Sequence, residues 1–472
     1  MFGPTVRCQC LFGIIVSLML IPTMLIEVGC GGGSSQSPST PLAPQPGSAS
    51  LQINIGDSPS DRLLAFAMTI NSMSLTNSTG STVNLVSNPV PLEMMQLMGT
   101  MQPLAIMTIP QGTYTKATMT IGSATVTYMD PVTMQAVQKT VPGMTATIQF
   151  DPNVTMNGTP SVMNFDMDMA ASVFIDGAGN VTMNPTLHMT TGAYAVGSHD
   201  PVHGGMEHMF GAVANISGGS FTMAMMQGLQ NPTFMTNSNT QFVNMGGMGM
   251  MSSGNLIMVD AEMRPDGSML ADRVESIMSG GLMAGGIMTN VTDNPATQLT
   301  LIAQNGAGTG MMASYLANGV TVSVSGSTTF SADTDEMDMS NLPFTPQFDG
   351  TSIFKGQRVY AVSAQTAMGG GMGGMMTGTV NASDIRLEPQ GLNGIVSNYA
   401  QNGSQATFTL TMPPDSAFAV FTGSNTVTVF QQPGTVIAGL SSVPNGAAVH
   451  VRGLLFMDGG TYKMVAARIT TP

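Results

Sequence analysis

Short runs in which apolar and polar residues alternate, each closed by a turn, constrain this chain more than any other feature. Leu51-Gln52-Ile53-Asn54-Ile55 is the first, and Gly56-Asp57-Ser58-Pro59 ends it. Others fall at Phe66/Met68/Ile70, Met119/Ile121, Ala124/Val126/Tyr128, Ala146/Ile148/Phe150 and Val173/Ile175. Between them lie Asn77-Ser78-Thr79-Gly80, Pro110-Gln111-Gly112 and Asp176-Gly177-Ala178-Gly179-Asn180, residue types that favour turns. A period of two puts alternate side chains on opposite faces of a strand, so each run predicts a half-buried strand. Only Pro91 to Met98 reads as a short helix. The expectation is an all-β fold, beginning with an antiparallel β-sandwich over residues 51–195.

The remainder repeats itself. Gly211-Ala212-Val213-Ala214-Asn215-Ile216 returns as Gly286-Ile287-Met288-Thr289-Asn290-Val291 and as Gly394-Ile395-Val396-Ser397-Asn398-Tyr399. A closing motif returns too: Ala271-Asp272-Arg273-Val274, Ala382-Ser383-Asp384-Ile385 and Ala466-Ala467-Arg468-Ile469. Pro265-Asp266-Gly267 and Asp458-Gly459-Gly460 suit hairpins before two of these closings. Three small β repeats follow from this, at 209–279, 282–389 and 390–472. The second carries an insertion near Asp333 to Gly350. Its Asp333, Asp335, Glu336 and Asp338 offer oxygen ligands for Ca²⁺, but their spacing is not that of an EF-hand, so the insertion reads as a solvated acidic loop.

At the other end, Arg7 precedes an apolar run from Leu11 to Ile26, short for a membrane span and suited to a signal sequence. Gly29 and Cys30 follow, and then GGGSSQSPSTPLAPQPGSAS, which is too flexible and polar to build a core. A small residue before a single cysteine resembles the lipobox of bacterial lipoproteins, although Glu27 stands where an aliphatic residue is usual. The resemblance implies a signal peptide at 1–29, lipid attachment at Cys30 and a tether over 30–50. Gly31 in the next position implies sorting to the outer membrane, in the periplasm or on the surface.

Charged residues make up 8% of the chain, against the ~25% of ordinary globular domains. With 12 Lys+Arg and a net charge of −14, no basic cluster exists to neutralise phosphates, which argues against nucleic acid as a partner. Four of the five histidines gather at His188, His199, His203 and His208, beside Met206 and Met209. Imidazole and thioether ligands suit copper, so a metal site is one reading of this patch. A polar His/Met-rich linker over 196–208 is the other. The 47 Met also crowd two glycine-rich runs, Met245 to Met251 and Met368 to Met376, where exposed thioethers could meet Cu(I), a membrane or a partner. Gly56-Asp57-Ser58 and Asp200-Pro201-Val202-His203 mimic the motifs of an esterase. That chemistry needs an α/β sheet and an oxyanion hole, which this strand pattern does not supply. The Gly56-Asp57-Ser58 stretch reads instead as a turn whose Asp caps its own backbone.

Two family resemblances complete the reading. Ile55-Gly56-Asp57-Ser58-Pro59, the P-x-G-x-Y turn Pro110 to Tyr114, and Phe165-Asp166, Ser172-Val173 and Ile175-Asp176 resemble an uncharacterised domain of bacterial lipoproteins. The Gly-x-aliphatic openings and Ala-x-Asp/Arg-aliphatic closings resemble a second uncharacterised family of tandem small all-β domains, akin in outline to oligosaccharide-binding folds, which implies three small β-barrel-like repeats after the sandwich. Together they imply a lipid-anchored, non-enzymatic envelope protein that meets a glycan or protein ligand at the cell surface. The alternative is a periplasmic copper-binding protein. The anchor is tested directly by Cys30→Ser, which should release the chain from the membrane fraction or leave it unprocessed. A variant that partitions and matures like wild type removes the anchor.

Overall fold

The computed structural model describes residues 47–471 apart from 59, 98–99, 131, 134, 199–202, 226–230, 265, 279–281, 308–318, 336, 364–378 and 441. The signal sequence, Cys30, His199, Glu336 and the Met368 to Met376 run lie outside the described residues. Strands account for 63% of the structure and helix for 5%, so the alternating pattern does set the fold class.

The first unit is a β-sandwich. One sheet places Leu187–Ala193, Ser161–Asp168, Ser48–Ser58 and Met101–Pro110 side by side. The other runs Gln135–Val141, Ala124–Asp130, Leu63–Asn77, Gly112–Ile121 and Met144–Met156. The ladder between Ser48–Ser58 and Ser161–Asp168 is parallel, a departure from the expected all-antiparallel pairing. Ser48 to Ser50, expected to be the end of the tether, already belong to the first strand. The expected helix at Pro91 to Met98 is a strand, Val90–Glu93, followed by one 3₁₀ turn, Met94–Leu97.

Two sequence motifs acquire reasons here. Tyr114 is buried and its hydroxyl donates to the Pro110 carbonyl oxygen at 2.8 Å, so the P-x-G-x-Y turn is closed by its own tyrosine. Ser48–Ser58 is not half-buried as its alternation suggests. Leu51, Ile53 and Ile55 enter the sandwich core, while Gln52 and Asn54 are buried as well. Those amides bond in a chain: Gln52 Nε2 donates to Asn54 Oδ1 at 2.9 Å, and Asn54 Nδ2 to Asn164 Oδ1 at 2.8 Å.

The three repeats share one five-stranded ring. In the last, Gln390–Asn402, Gln405–Thr411, Thr426–Ala438, Thr461–Thr470 and Ala448–Asp458 close into a barrel. Its third and last strands pair in parallel, and every other ladder is antiparallel. The first repeat has the same order, with its third strand split into Thr233–Met235 and Gln241–Val243, both parallel to Met269–Met278. In the second, Val320–Ser323 and Thr329–Ala332 pair in parallel with Thr379–Asn381 and Asp384–Leu387. The recurrent glycines mark where the opening strand presses on its neighbour. A Cβ on Gly211, Gly286 or Gly394 would lie 2.5, 1.9 or 2.6 Å from the carbonyl oxygen of Ala224, Ile302 or Thr411. Only glycine tolerates that approach, which is why the openings read Gly-x-aliphatic.

The described residues form one compact unit. Ile106 and Tyr194 of the sandwich pack on the core of the first barrel. Phe210 and Leu256 join Met283, Tyr360 and Val362 between the first and second barrels. Leu64, Ala65 and Met129 of the sandwich meet Ile287 and Ile302 of the second barrel and Ala417 of the third. The insertion of the second barrel covers the outside of the third: Phe344 lies 5.1 Å from Phe430 and 6.1 Å from Phe456, ring to ring.

Candidate functional site

The strand Gly205–Ser217 decides the fate of the histidine patch. Residues 205–208, expected to end a linker, are its first four residues. Met206 and Met209 both enter the core of the first barrel, at 1% and 0% exposure, so their thioethers are core filler. Two residues separate them, and the ladder against Leu256–Met263 is shifted at that point. This bulge takes Glu207 and His208 out of register, the usual way a strand re-aims a side chain. His208 has a positive φ of 53°, and its backbone N–H donates to Asp260 Oδ1 at 2.7 Å. Its Nε2 lies 3.4 Å from Asp333 Oδ2. His188 is exposed on Leu187–Ala193, and His203 Nδ1 lies 3.0 Å from the Ala193 carbonyl oxygen. Among the described residues no group of three or more His, Cys, Asp or Glu is arranged to hold a metal.

His208 leads instead into an ionic junction. The last strand of each barrel carries an arginine: Arg273 faces Asp260, Arg386 faces Tyr360, and Arg468 faces Arg452, with Arg386 two residues past the position that Arg273 and Arg468 share. In the first two barrels a glutamate follows two residues later, giving Arg273-Val274-Glu275 and Arg386-Leu387-Glu388. Arg386 Nη1 binds Glu275 Oε1 of the first barrel, and its Nη2 lies 2.9 Å from Asp333 Oδ1. Arg273 Nη2 lies 3.0 Å from Glu275 Oε2 and also binds Asp335. Arg468 of the third barrel reaches Glu207 of the first at 3.5 Å.

Asp333 is 1% exposed, so the insertion is not the expected solvated loop. Asp333 and Asp335 are consumed in ion pairs, while Asp338 accepts the Ser340 backbone N–H at 2.8 Å. Burial alone would raise Asp333, but its bond to His208, the His208 charge and Arg386 outweigh it and hold the carboxyl well below its usual range. Burial, and then the charge on Asp333, push Asp335 up to about 6. Burial pushes Glu388 up to about 8 and Asp333 adds to it, although Arg386 Nε is only 3.3 Å away. Burial outweighs the pull of Arg386 and Arg358 on this carboxyl. Reading the closings as Ala-x-Asp/Arg-aliphatic hid this junction. The signal that could have found it is the arginine–aliphatic–glutamate triplet that Arg273-Val274-Glu275 and Arg386-Leu387-Glu388 share.

Two further features differ from the sequence reading. Gly56-Asp57-Ser58 is no turn: Asp57 is still in the first strand, 3% exposed, and its carboxyl has no hydrogen-bond partner. Burial, with Asp166, Glu93 and Asp168 nearby, raises it well above the usual carboxylate range. In the run Met245 to Met251, only Met250 is largely exposed, at 68%. Met245 and Met248 pack on the first barrel, where Thr236 Oγ1 donates to Met248 Sδ at 2.9 Å.

Beside the insertion an open groove of about 700 Å³ is lined by Phe330, Ser331, Ala332, Thr334, Met339, Pro346, Phe348 and Phe456. None of these side chains ionises. Phe330 and Phe348 meet edge to face, with centroids 5.8 Å apart at 74°.

Residues 48–185 match the model of a domain of unknown function, DUF4382. Residues 210–275 match a second, DUF5666. These spans coincide with the sandwich and with most of the first barrel. A search of curated proteins finds no match. Among solved structures, a multidomain protein with nucleic acid binding domains from Streptococcus pneumoniae is similar at 11% identity, over 55% of this chain and 72% of that one. The TM-score of 0.11 is too low for that likeness to carry a fold or a function.

The buried carboxyls set the pH dependence of stability. Glu388 and Glu93, both near 8 against an ordinary 4.5, and Asp61, near 7 against 3.8, keep protons when folded that the unfolded chain releases. Stability therefore falls as pH rises from the unfolded values toward 8. His450 acts oppositely. Burial, then Arg452 and Arg468, lower it to about 3, so its cost appears only below its ordinary 6.5. Between pH 6.5 and 8 these carboxyls lower stability as pH rises, and His450 adds no opposing change. Thermal melts should show Tm falling across that window, and Glu388→Gln should flatten the slope by up to ~1.4 kcal/mol per pH unit. A flat wild-type profile, or an unchanged slope in the variant, contradicts the assignment.

Proposed function

We propose that this protein is a lipid-anchored component of the cell envelope that binds a neutral glycan without transforming it. The uncharged aromatic groove beside the insertion carries this reading. Sugar rings present C–H faces and hydroxyls together. The groove offers edge-to-face phenyl rings for the first, with Ser331 and Thr334 for the second.

The distribution of charge supports the same reading. Of 12 Lys+Arg, Arg273, Arg358, Arg386, Arg452 and Arg468 are drawn inside, at the joints between units. Among the described Lys and Arg residues only Lys139 and Lys355 are exposed. A surface of hydroxyls and amides has little with which to hold a polyphosphate, and nucleic acid is a poor partner for it. The tether from Cys30 would let such a body reach away from the membrane.

Phe348→Ala and Phe330→Ala should each weaken glycan binding by about 3- to 10-fold, the ~0.5–1.5 kcal/mol of one aromatic contact. The full chain in detergent on a glycan array, followed by titration of the best hit, measures this. A blank array, or hits that bind both variants undiminished, rejects the groove as a glycan site.

A further inference from the structure

The groove at Phe330 and Phe348 runs beside a strand whose outer edge is unpaired. Thr329–Ala332 ends the strand order of the second barrel and pairs on one side alone, with Asp384–Leu387. Thr329 and Asp333 give their backbone N–H groups to the Ser383 and Leu387 carbonyl oxygens, both at 2.9 Å. Successive residues of a strand direct these groups to opposite sides, so Phe330 and Ala332 turn their N–H and C=O away from the ladder. Among the described residues no backbone hydrogen bond reaches them there. Such an edge is normally covered, because its amides need partners. Here Phe330, Ser331 and Ala332 instead form one wall of the groove.

About 380 Å³ of the groove is clear for a ligand, within the range of small-molecule sites. Met339, Pro346, Phe348 and Phe456 make its other walls apolar. Ser331 Oγ donates to Asp384 Oδ2 at 3.4 Å, which leaves that oxygen to accept from a ligand. A sugar bearing hydroxyls alone would bury several of them against these walls without partners. The complement in charge and polarity is a neutral group that joins a carbonyl to a methyl.

We propose, on the reading of this groove as a glycan site, that its sugar carries an acetamido group. The acetamido carbonyl oxygen accepts the outward N–H of Ala332, and the methyl packs on Met339 and Phe348. The small side chain of Ala332 leaves its N–H open to approach. An extended peptide would also seek this edge, but four residues offer it less than a typical strand of ~5–6.

Titration calorimetry of the full chain in detergent tests this with two trisaccharides of one linkage, of N-acetylglucosamine and of glucose, and with N-acetyl-trialanine amide. The acetamido sugar should bind about 10-fold tighter than the glucose sugar, through one hydrogen bond and one buried methyl. Ala332→Pro deletes the outward N–H at an edge position that suits proline. It should weaken the acetamido sugar by about 3- to 10-fold and leave the glucose sugar within about twofold. Should Ala332→Pro fail to fold, hydrogen exchange of wild type takes its place. At equal occupancy the acetamido sugar should then protect residues 329–333 more than the glucose sugar does. Equal affinity for the two sugars, an unchanged preference in folded Ala332→Pro, or equal protection overturns the acetamido assignment and leaves the glycan site standing. Binding of neither sugar removes the glycan site and the assignment together. A peptide that binds as tightly as the acetamido sugar makes the edge a peptide site and overturns both.

Discussion

The contact on which this architecture turns is that of Arg386 with Glu275 and Asp333. One guanidinium, on the last strand of the second barrel, holds a glutamate of the first barrel and the aspartate that opens its own insertion. Removing one member of a buried pair typically costs ~3–5 kcal/mol, because its partner is left charged and unmatched. The cost lies in specificity of assembly as much as in strength. An apolar joint between barrels can slide, whereas this one has a single register.

That economy of charge explains the composition. A chain with 8% charged residues has few to spend, and the junction absorbs Arg273, Arg386, Arg468, Glu275, Asp333 and Asp335 together with His208. The outside is then built from Thr, Ser, Asn and Gln, and solubility rests on hydroxyls and amides. The insertion also links the junction to the open groove. Its aspartates face the junction, Phe344 seals the third barrel, and Phe348 with Pro346 shapes the open groove. Holding the loop by its charged end keeps the aromatic end in place.

What could be read from sequence divides by range. Alternation, turn residues and the Gly-x-aliphatic repeats are local, and they yielded the sandwich and three barrels. The P-x-G-x-Y turn was visible because Tyr114 bonds four residues back. Burial of Gln52, Asn54 and Asp57 was not visible, since it depends on neighbours far along the chain that cover the outer face of the strand. The histidine patch misled for the same reason. Proximity in sequence suggested a shared ligand, but a bulge sent His208 one way and the barrel core took Met206 and Met209 the other. Asp333 looked solvated because its partners, Arg386 and His208, lie 53 and 125 positions away in the chain.

Urea unfolding of Arg386→Met, followed by circular dichroism, tests the central claim most directly. If the junction locks the barrels together, wild type loses them in one transition. The variant should then unfold at lower urea, by an amount on the order of 3–5 kcal/mol, and in more than one step. A single transition at the wild-type midpoint would show that apolar packing alone holds the units, and would contradict the account.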